Sequence, residues 1–140
     1  MKNYFLIGFI TLIFSFSACK SHKTNQHGNG PFLENTRWKL TKLDAESIST
    51  PASGKEIYIQ FNKGKIDGFS GCNKIGGKYK TSDNSLKITD IISTKMACPE
   101  MKMENTFTQA LSKTESYTLK DKILSLTSSD NSIIIFEAMN

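Results

Sequence analysis

Histidine is nearly absent from this chain. His22 and His27 are the only two, and both precede the first strand-like pattern. A cysteine or serine nucleophile needs an adjacent base, usually an imidazole. Cysteine-hydrolase and Ser-His-Asp chemistry are therefore excluded for the body of the chain, and no catalytic residue is assigned. Arginine is equally scarce, with Arg37 alone among the 18 basic residues. Nucleic-acid binders concentrate Arg and Lys in a dense stripe. Here Lys63, Lys65, Lys74, Lys78, Lys80 and Lys87 are spaced by polar and apolar residues. They read as a solvated face, with no nucleic-acid partner expected. The alternative left open is a weak attraction to anionic lipid or lipopolysaccharide. The glycines at 68, 71, 76 and 77 lack the Lys-Ser/Thr ending and the following helix of a phosphate loop. Asp67, Asp90, Glu100 and Glu104 show no spacing that argues for a paired acid and base.

No apolar run is long enough to span a bilayer, which takes roughly 20 residues. A shorter one is present. Lys2 precedes an apolar stretch from Tyr4 to Phe16, and Phe16-Ser17-Ala18-Cys19 follows. The length fits a secretory signal core. A cysteine directly after Ser-Ala resembles the bacterial lipobox, with Phe in place of the more usual Leu at its first position. The expectation is a signal peptide over residues 1–18, lipidation of Cys19 and a membrane anchor through it. Several acyl chains are needed for a stable anchor, because one chain holds only marginally. An ordinary signal peptide with an incidental cysteine is the alternative. Residues 19–31 then form the lipidated cysteine and a polar, flexible tether. His22 and His27 could chelate metal there only at the cost of ordering that tether. Lys at position 20, with no acidic run after Cys19, favours the periplasmic face of the outer membrane. Loss of Lys2 lowers the net charge by one from +5.

One domain of about 110 residues remains, 32–140, a usual single-domain size. With Cys19 acylated, Cys72 and Cys98 are left. An even number of cysteines in an oxidising compartment points to a disulfide. It would contribute on the order of 3 kcal/mol through the unfolded state. Two buried free thiols are the alternative.

From Trp38 onward the pattern is mostly β. Trp38–Leu43 alternates apolar and polar residues with period two. Ile57–Phe61 and Lys65–Ser70 flank Asn62-Lys63-Gly64 as a hairpin. Lys78–Lys80 and Leu86–Thr89 flank Ser82–Ser85, which has turn chemistry. Pro99 opens a helix reaching about Lys113. Met103, Phe107 and Leu111, with Ala110, give it one apolar stripe, and Glu100 and Glu104 sit where its dipole favours acid. Tyr117–Leu119, Ile123–Leu126 and Ile133–Phe136 complete the chain, the last as a strand buried on both faces. Asp44–Glu56 reads as loop. The fold class is α+β: a curled antiparallel sheet or open barrel of seven or eight strands, with one amphipathic helix packed against it.

The order of motifs resembles the META domain family, also called HslJ-like. The resemblance rests on Gly68, Ser70, Gly71, Cys72, Asn73, Gly77 and Tyr79. Thr94, Met96, Ala97 and Cys98 continue it, and Glu104, Phe107 and Leu111 end it on the helix. It implies a bacterial, often exported or lipid-anchored domain, small and β-rich with one helix. It further implies a link to heat shock, antibiotic tolerance, motility or virulence, and it brings no catalytic activity or cofactor.

The glycines here are expected to supply positive φ, bulges and close strand approach. Asn73 is expected to use its amide in a turn or a buried backbone hydrogen bond. Met96, Cys98, Met101 and Met103 could form a soft Cu(I) set. Against this, Met103 belongs to the helix stripe, and a disulfide would remove the Cys98 thiolate. The expected role is non-enzymatic, either binding an envelope protein partner or supporting stress tolerance. The alternative is a carrier or sensor of a small hydrophobic ligand in an open barrel end.

Overall fold

The period-two pattern is realised as nine strands and one helix in a computed structural model that describes residues 32–51, 54–99 and 101–139. The expected signal peptide, Cys19, the tether with its two histidines, and Glu100 lie outside the described residues. The strands are β1 (Arg37–Leu43), β2 (Glu46–Ser47), β3 (Tyr58–Asn62), β4 (Lys65–Phe69), β5 (Lys74–Ser82), β6 (Ser85–Ser93), β7 (Thr114–Lys120), β8 (Ile123–Ser128) and β9 (Ile133–Ala138). The helix α1 runs Met101–Ser112, between β6 and β7.

All pairings between these named strands are antiparallel, and β1 pairs with both β3 and β9. The eight long strands therefore close into a barrel, rather than stopping at an open curled sheet. Closure removes the exposed edges that an open sheet would present. The two-residue β2 pairs only with the end of β1, at Lys42 and Leu43, so Asp44–Glu56 is not entirely loop.

Short connections set the register. Lys63 and Gly64 both have positive φ in the β3–β4 turn. Asp83 and Asp121 do so in the β5–β6 and β7–β8 turns. That sign matches the right-handed strand twist in tight hairpins.

Alternation carries the core. Trp38, Leu40, Ile59, Phe61, Ile66, Ile75, Tyr79, Leu86 and Ile88 face inward from the first half of the barrel. Leu124, Leu126, Ile134 and Phe136 do so from the second. One expectation fails here. The isoleucines of β9 are not buried on both faces: Ile134 is fully buried, but Ile133 is 44% exposed. A strand in a small barrel has one solvated side, so a continuous apolar run does not require double burial.

β6 and β7 share a single register pair, Ser85 with Ser116. Beyond it they diverge, and α1 packs there. Phe107, Ala110 and Leu111 of α1 join the core, with Phe107 6.1 Å from Phe136 between ring centroids. The stripe is the expected one, but the helix begins at Met101, after Pro99. The Ala110 carbonyl accepts from Ser128 Oγ at 2.8 Å and Thr114 Oγ1 at 3.3 Å, tying the helix end to β7 and β8.

Candidate functional site

The residues singled out in the sequence converge at the β4–β5 corner. β4 runs beside β3 so closely that a side chain at Gly68 is impossible. A Cβ there would stand 2.3 Å from the Tyr58 carbonyl oxygen. The chain then turns through Gly71, at φ 109°, a conformation that L side chains rarely adopt. Ser70 is fully buried and closes the turn, donating from both N and Oγ to the Asn73 carbonyl at 2.9 Å.

Asn73 is the hub. Its Nδ2 donates to the Met96 carbonyl at 3.2 Å and to Glu104 Oε1 at 2.8 Å. Its Oδ1 accepts from Thr94 Oγ1 at 2.8 Å and from the Met96 amide at 2.7 Å. Two donors and two lone pairs are the whole capacity of a side-chain amide, and all are used. The Asn73 backbone amide donates to Glu104 Oε2 at 3.0 Å. Thr94 Oγ1 also accepts from the Lys74 amide at 3.1 Å.

Glu104 lies in the first turn of α1, where the dipole favours acid, and it also turns inward, 5% exposed, with each carboxyl oxygen accepting from Asn73. Sequence reasoning missed this pairing. A signal was present, because an acidic residue among the apolar positions of a helix is unusual unless partnered.

Cys72 and Cys98 form a disulfide, with Cα atoms 6.2 Å apart. It lies beside the Asn73 hub and ties the same two segments, the β4–β5 corner and the connection from β6 to α1. Free thiols are thereby ruled out. The Cu(I) set loses its thiolate, its Met96 is 61% exposed, and its Met103 packs against the core.

The remaining motif residues take other places. Gly77 lies in β5 opposite Ile66. Ala97 is exposed, and nothing in the structure explains its presence in the motif. Phe107 and Leu111 are core. Tyr79 packs edge-on to Phe61 at 4.9 Å and donates its hydroxyl to Glu34. Burial and then that hydrogen bond push the Tyr79 phenol up to about 12.

Open grooves flank the barrel among the described residues. One of about 710 Å³ lies between Leu43–Glu46 and the first turns of α1, and one of about 600 Å³ lies between Phe32–Thr36 and Tyr79, Thr81 and Tyr117. No group of three or more His, Cys, Asp or Glu side chains placed to hold a metal occurs among the described residues.

The chain matches the META domain family model over residues 32–140. It belongs to the META domain family. A protein from Burkholderia xenovorans, solved by NMR, is similar in structure with a TM-score of 0.64 at 23% identity, covering 77% of this chain and 84% of that one. A second NMR structure matches with a TM-score of 0.60 at 21% identity, over 75% of this chain and 91% of the other. A DUF4847 family protein from Bacteroides vulgatus matches with a TM-score of 0.58 at 15% identity, over 76% and 94%. At these identities the likeness is one of fold. No curated protein matches the chain. In this META domain, the Gly-Cys-Asn corner, the Thr94–Cys98 segment and Glu104 form one structural lock.

Proposed function

We propose that this META domain is a non-enzymatic lipoprotein of the bacterial envelope that supports stress tolerance by binding an envelope protein partner. The observation that carries the non-enzymatic part is the saturation of Asn73. The most reactive-looking residues of the chain spend their hydrogen-bonding capacity and their thiols on holding the fold. A catalytic group needs capacity to spare for a substrate. The envelope part rests on the signal-like segment ahead of Cys19. A disulfide at Cys72–Cys98 agrees with an oxidising compartment.

The carrier alternative is weaker. Trp38, Phe61, Phe107 and Phe136 fill the barrel axis and are fully buried. A ligand there would have to displace close-packed side chains.

The test is made in cells with the full chain. The chromosomal copy is replaced by Cys19→Ala or deleted, and the envelope is crosslinked. The expected results are an acylated Cys19 by mass spectrometry, a partner captured only by the lipidated form, and sensitivity to heat or envelope-active antibiotics on deletion. An unacylated Cys19, or a deletion strain as resistant as its parent, would sink the corresponding half of the proposal.

A further inference from the structure

The outer surface of the barrel is electrically lopsided. Outward positions of β4, β5 and β6 carry Lys65, Lys74, Lys78, Lys80 and Lys87, all exposed, against Asp67 and Asp90. The outer surface of β7–β9 carries Lys120 against Glu115 and Glu137. Register sharpens the contrast. Lys65 stands directly opposite Lys78, and Lys80 directly opposite Lys87. Like charges facing each other across an antiparallel pair oppose folding. Only Lys78 has a carboxylate within reach, Asp90 at 2.9 Å, and among the described residues Lys65, Lys80 and Lys87 form no ion pair. The sheet thus carries like-charge pairs that it does not neutralise from within. Ile92 lies on the same face opposite Gly76 and is 71% exposed, which adds an apolar contact to the basic field.

The described chain begins beside the same strands, on their inner side: Glu34 bridges to Phe61 at the end of β3 and holds the hydroxyl of Tyr79, which points inward while its β5 neighbours Lys78 and Lys80 point outward. The segment between Cys19 and Phe32 has twelve residues, a reach of at most about 40 Å. That reach would let a domain anchored at Cys19 turn any face to the membrane, which leaves the choice of face to charge.

We propose that the outer face of β4–β6 docks on an anionic lipid bilayer surface. The proposal takes its compartment from the envelope reading above, but the contact itself needs no acyl chain. Each lysine near an anionic surface contributes a modest attraction that falls off within a Debye length. Three or four of them give a partition coefficient on the order of 10³ M⁻¹, weak in solution but sufficient once a tether holds the domain at the surface.

The test uses residues 20–140, which contain every described strand and the described core but lack Cys19, so no acyl group contributes. Flotation is measured with vesicles of phosphatidylcholine alone and with vesicles containing phosphatidylglycerol as a third of the lipid. Binding is expected only to the second, and should weaken as salt is raised. The Lys65→Gln, Lys80→Gln, Lys87→Gln triple should lower the partition coefficient on the order of 100-fold. Its thermal midpoint should hold or rise, because the opposed pairs are gone. A Lys→Arg triple at the same positions should keep the affinity. A Lys42→Gln, Lys102→Gln, Lys120→Gln triple removes equal charge elsewhere and should cost far less. Equal binding to both vesicle types, or equal losses in the two Gln triples, would overturn the docking face. Failure of the anchor reads out separately, as an unmodified Cys19 in the full chain.

Discussion

The β4–β5 corner and the β8–β9 turn reverse the chain by opposite means. The β8–β9 turn is closed chiefly by its own residues, and its outside contacts, Ser129 N to the Lys113 carbonyl at 2.9 Å and Asp130 to Lys113, reach only the nearby helix end. Ser128 donates its amide to the Ser132 carbonyl and Asn131 donates to the Ser128 carbonyl, both at 2.9 Å, while Asp130 Oδ1 accepts from the Ser132 amide at 3.2 Å. The β4–β5 corner is held from far away. Asn73 reaches Thr94, Met96 and Glu104, between 21 and 31 positions downstream, and the disulfide spans 26. A local turn needs only its own residues and forms early and cheaply. A corner held by remote partners forms only when the rest of the barrel and α1 are in place. The family signature lies on the second kind.

The largest effect that tests this contrast is expected at Asn73. Asn73→Ala removes four side-chain hydrogen bonds and leaves the Glu104 carboxyl, the Met96 carbonyl and the Met96 amide short of partners. Unsatisfied buried groups each cost on the order of 1–3 kcal/mol, so a loss of about 3–5 kcal/mol is expected by urea denaturation. Asn131→Ala in the β8–β9 turn should cost far less. A cycle with Glu104→Ala should show coupling of about 1–3 kcal/mol. Strict additivity of the two would show that the corner is held by something other than this pair.

The same contrast explains what could be read from the sequence. Strand alternation, turn residues such as Ser82–Ser85 and the apolar stripe of α1 are local signals, and each led to the right element. The first-turn place of Glu104 was legible, but its pairing was not, because the partner lies 31 positions away and no local rule names Asn73. The burial of β9 was overstated because three successive isoleucines carry no period. Which neighbour covers a strand is decided by barrel closure, not by the strand. Cys72 and Cys98 were legible as a pair because only two cysteines remain after Cys19.

Next in size is reduction of Cys72–Cys98, expected to cost about 3 kcal/mol through the freedom the unfolded chain regains when the loop is opened. The informative measurement is hydrogen exchange. The amides of Asn73, Lys74 and Met96, which donate within the lock, should lose protection before those of Leu124 and Leu126. Uniform loss across both regions would show that the disulfide acts on the whole barrel rather than on the corner.

A smaller effect is expected at Tyr79 in β5, outside both turns. Its phenol is raised from 10.0 to about 12, first by burial and then by the bond to Glu34. A raised folded value means that the native state holds the proton more tightly. The resulting stability is fully present below pH 10 and is lost as pH rises toward 12. Tyr79→Phe should flatten that alkaline decline relative to the parent, by at most about 2 kcal/mol. If the two proteins lost stability in parallel from pH 10 to 12, the Tyr79–Glu34 bond would not contribute in solution.

The smallest effect belongs to the β8–β9 turn itself, where Asp130 also pairs with Lys113 at 2.8 Å, just past the end of α1. The Lys113 ammonium, followed by the Ser132 hydrogen bonds, holds the Asp130 carboxyl down at about 2, against an ordinary 3.8. A depressed folded value contributes stability above the ordinary carboxylate range, lost as pH falls from about 4 toward 2. The carboxyl is solvent-exposed, so screening leaves little of that attraction, and salt should remove most of the remainder. Asp130→Asn should therefore shift the acid limb of the stability curve only slightly, and less still at high salt. A carboxyl resonance titrating near 3.8 by NMR would mean that the turn closes without the ion pair. An acid shift as large as the loss from Asn73→Ala would abolish the distinction between the two turns.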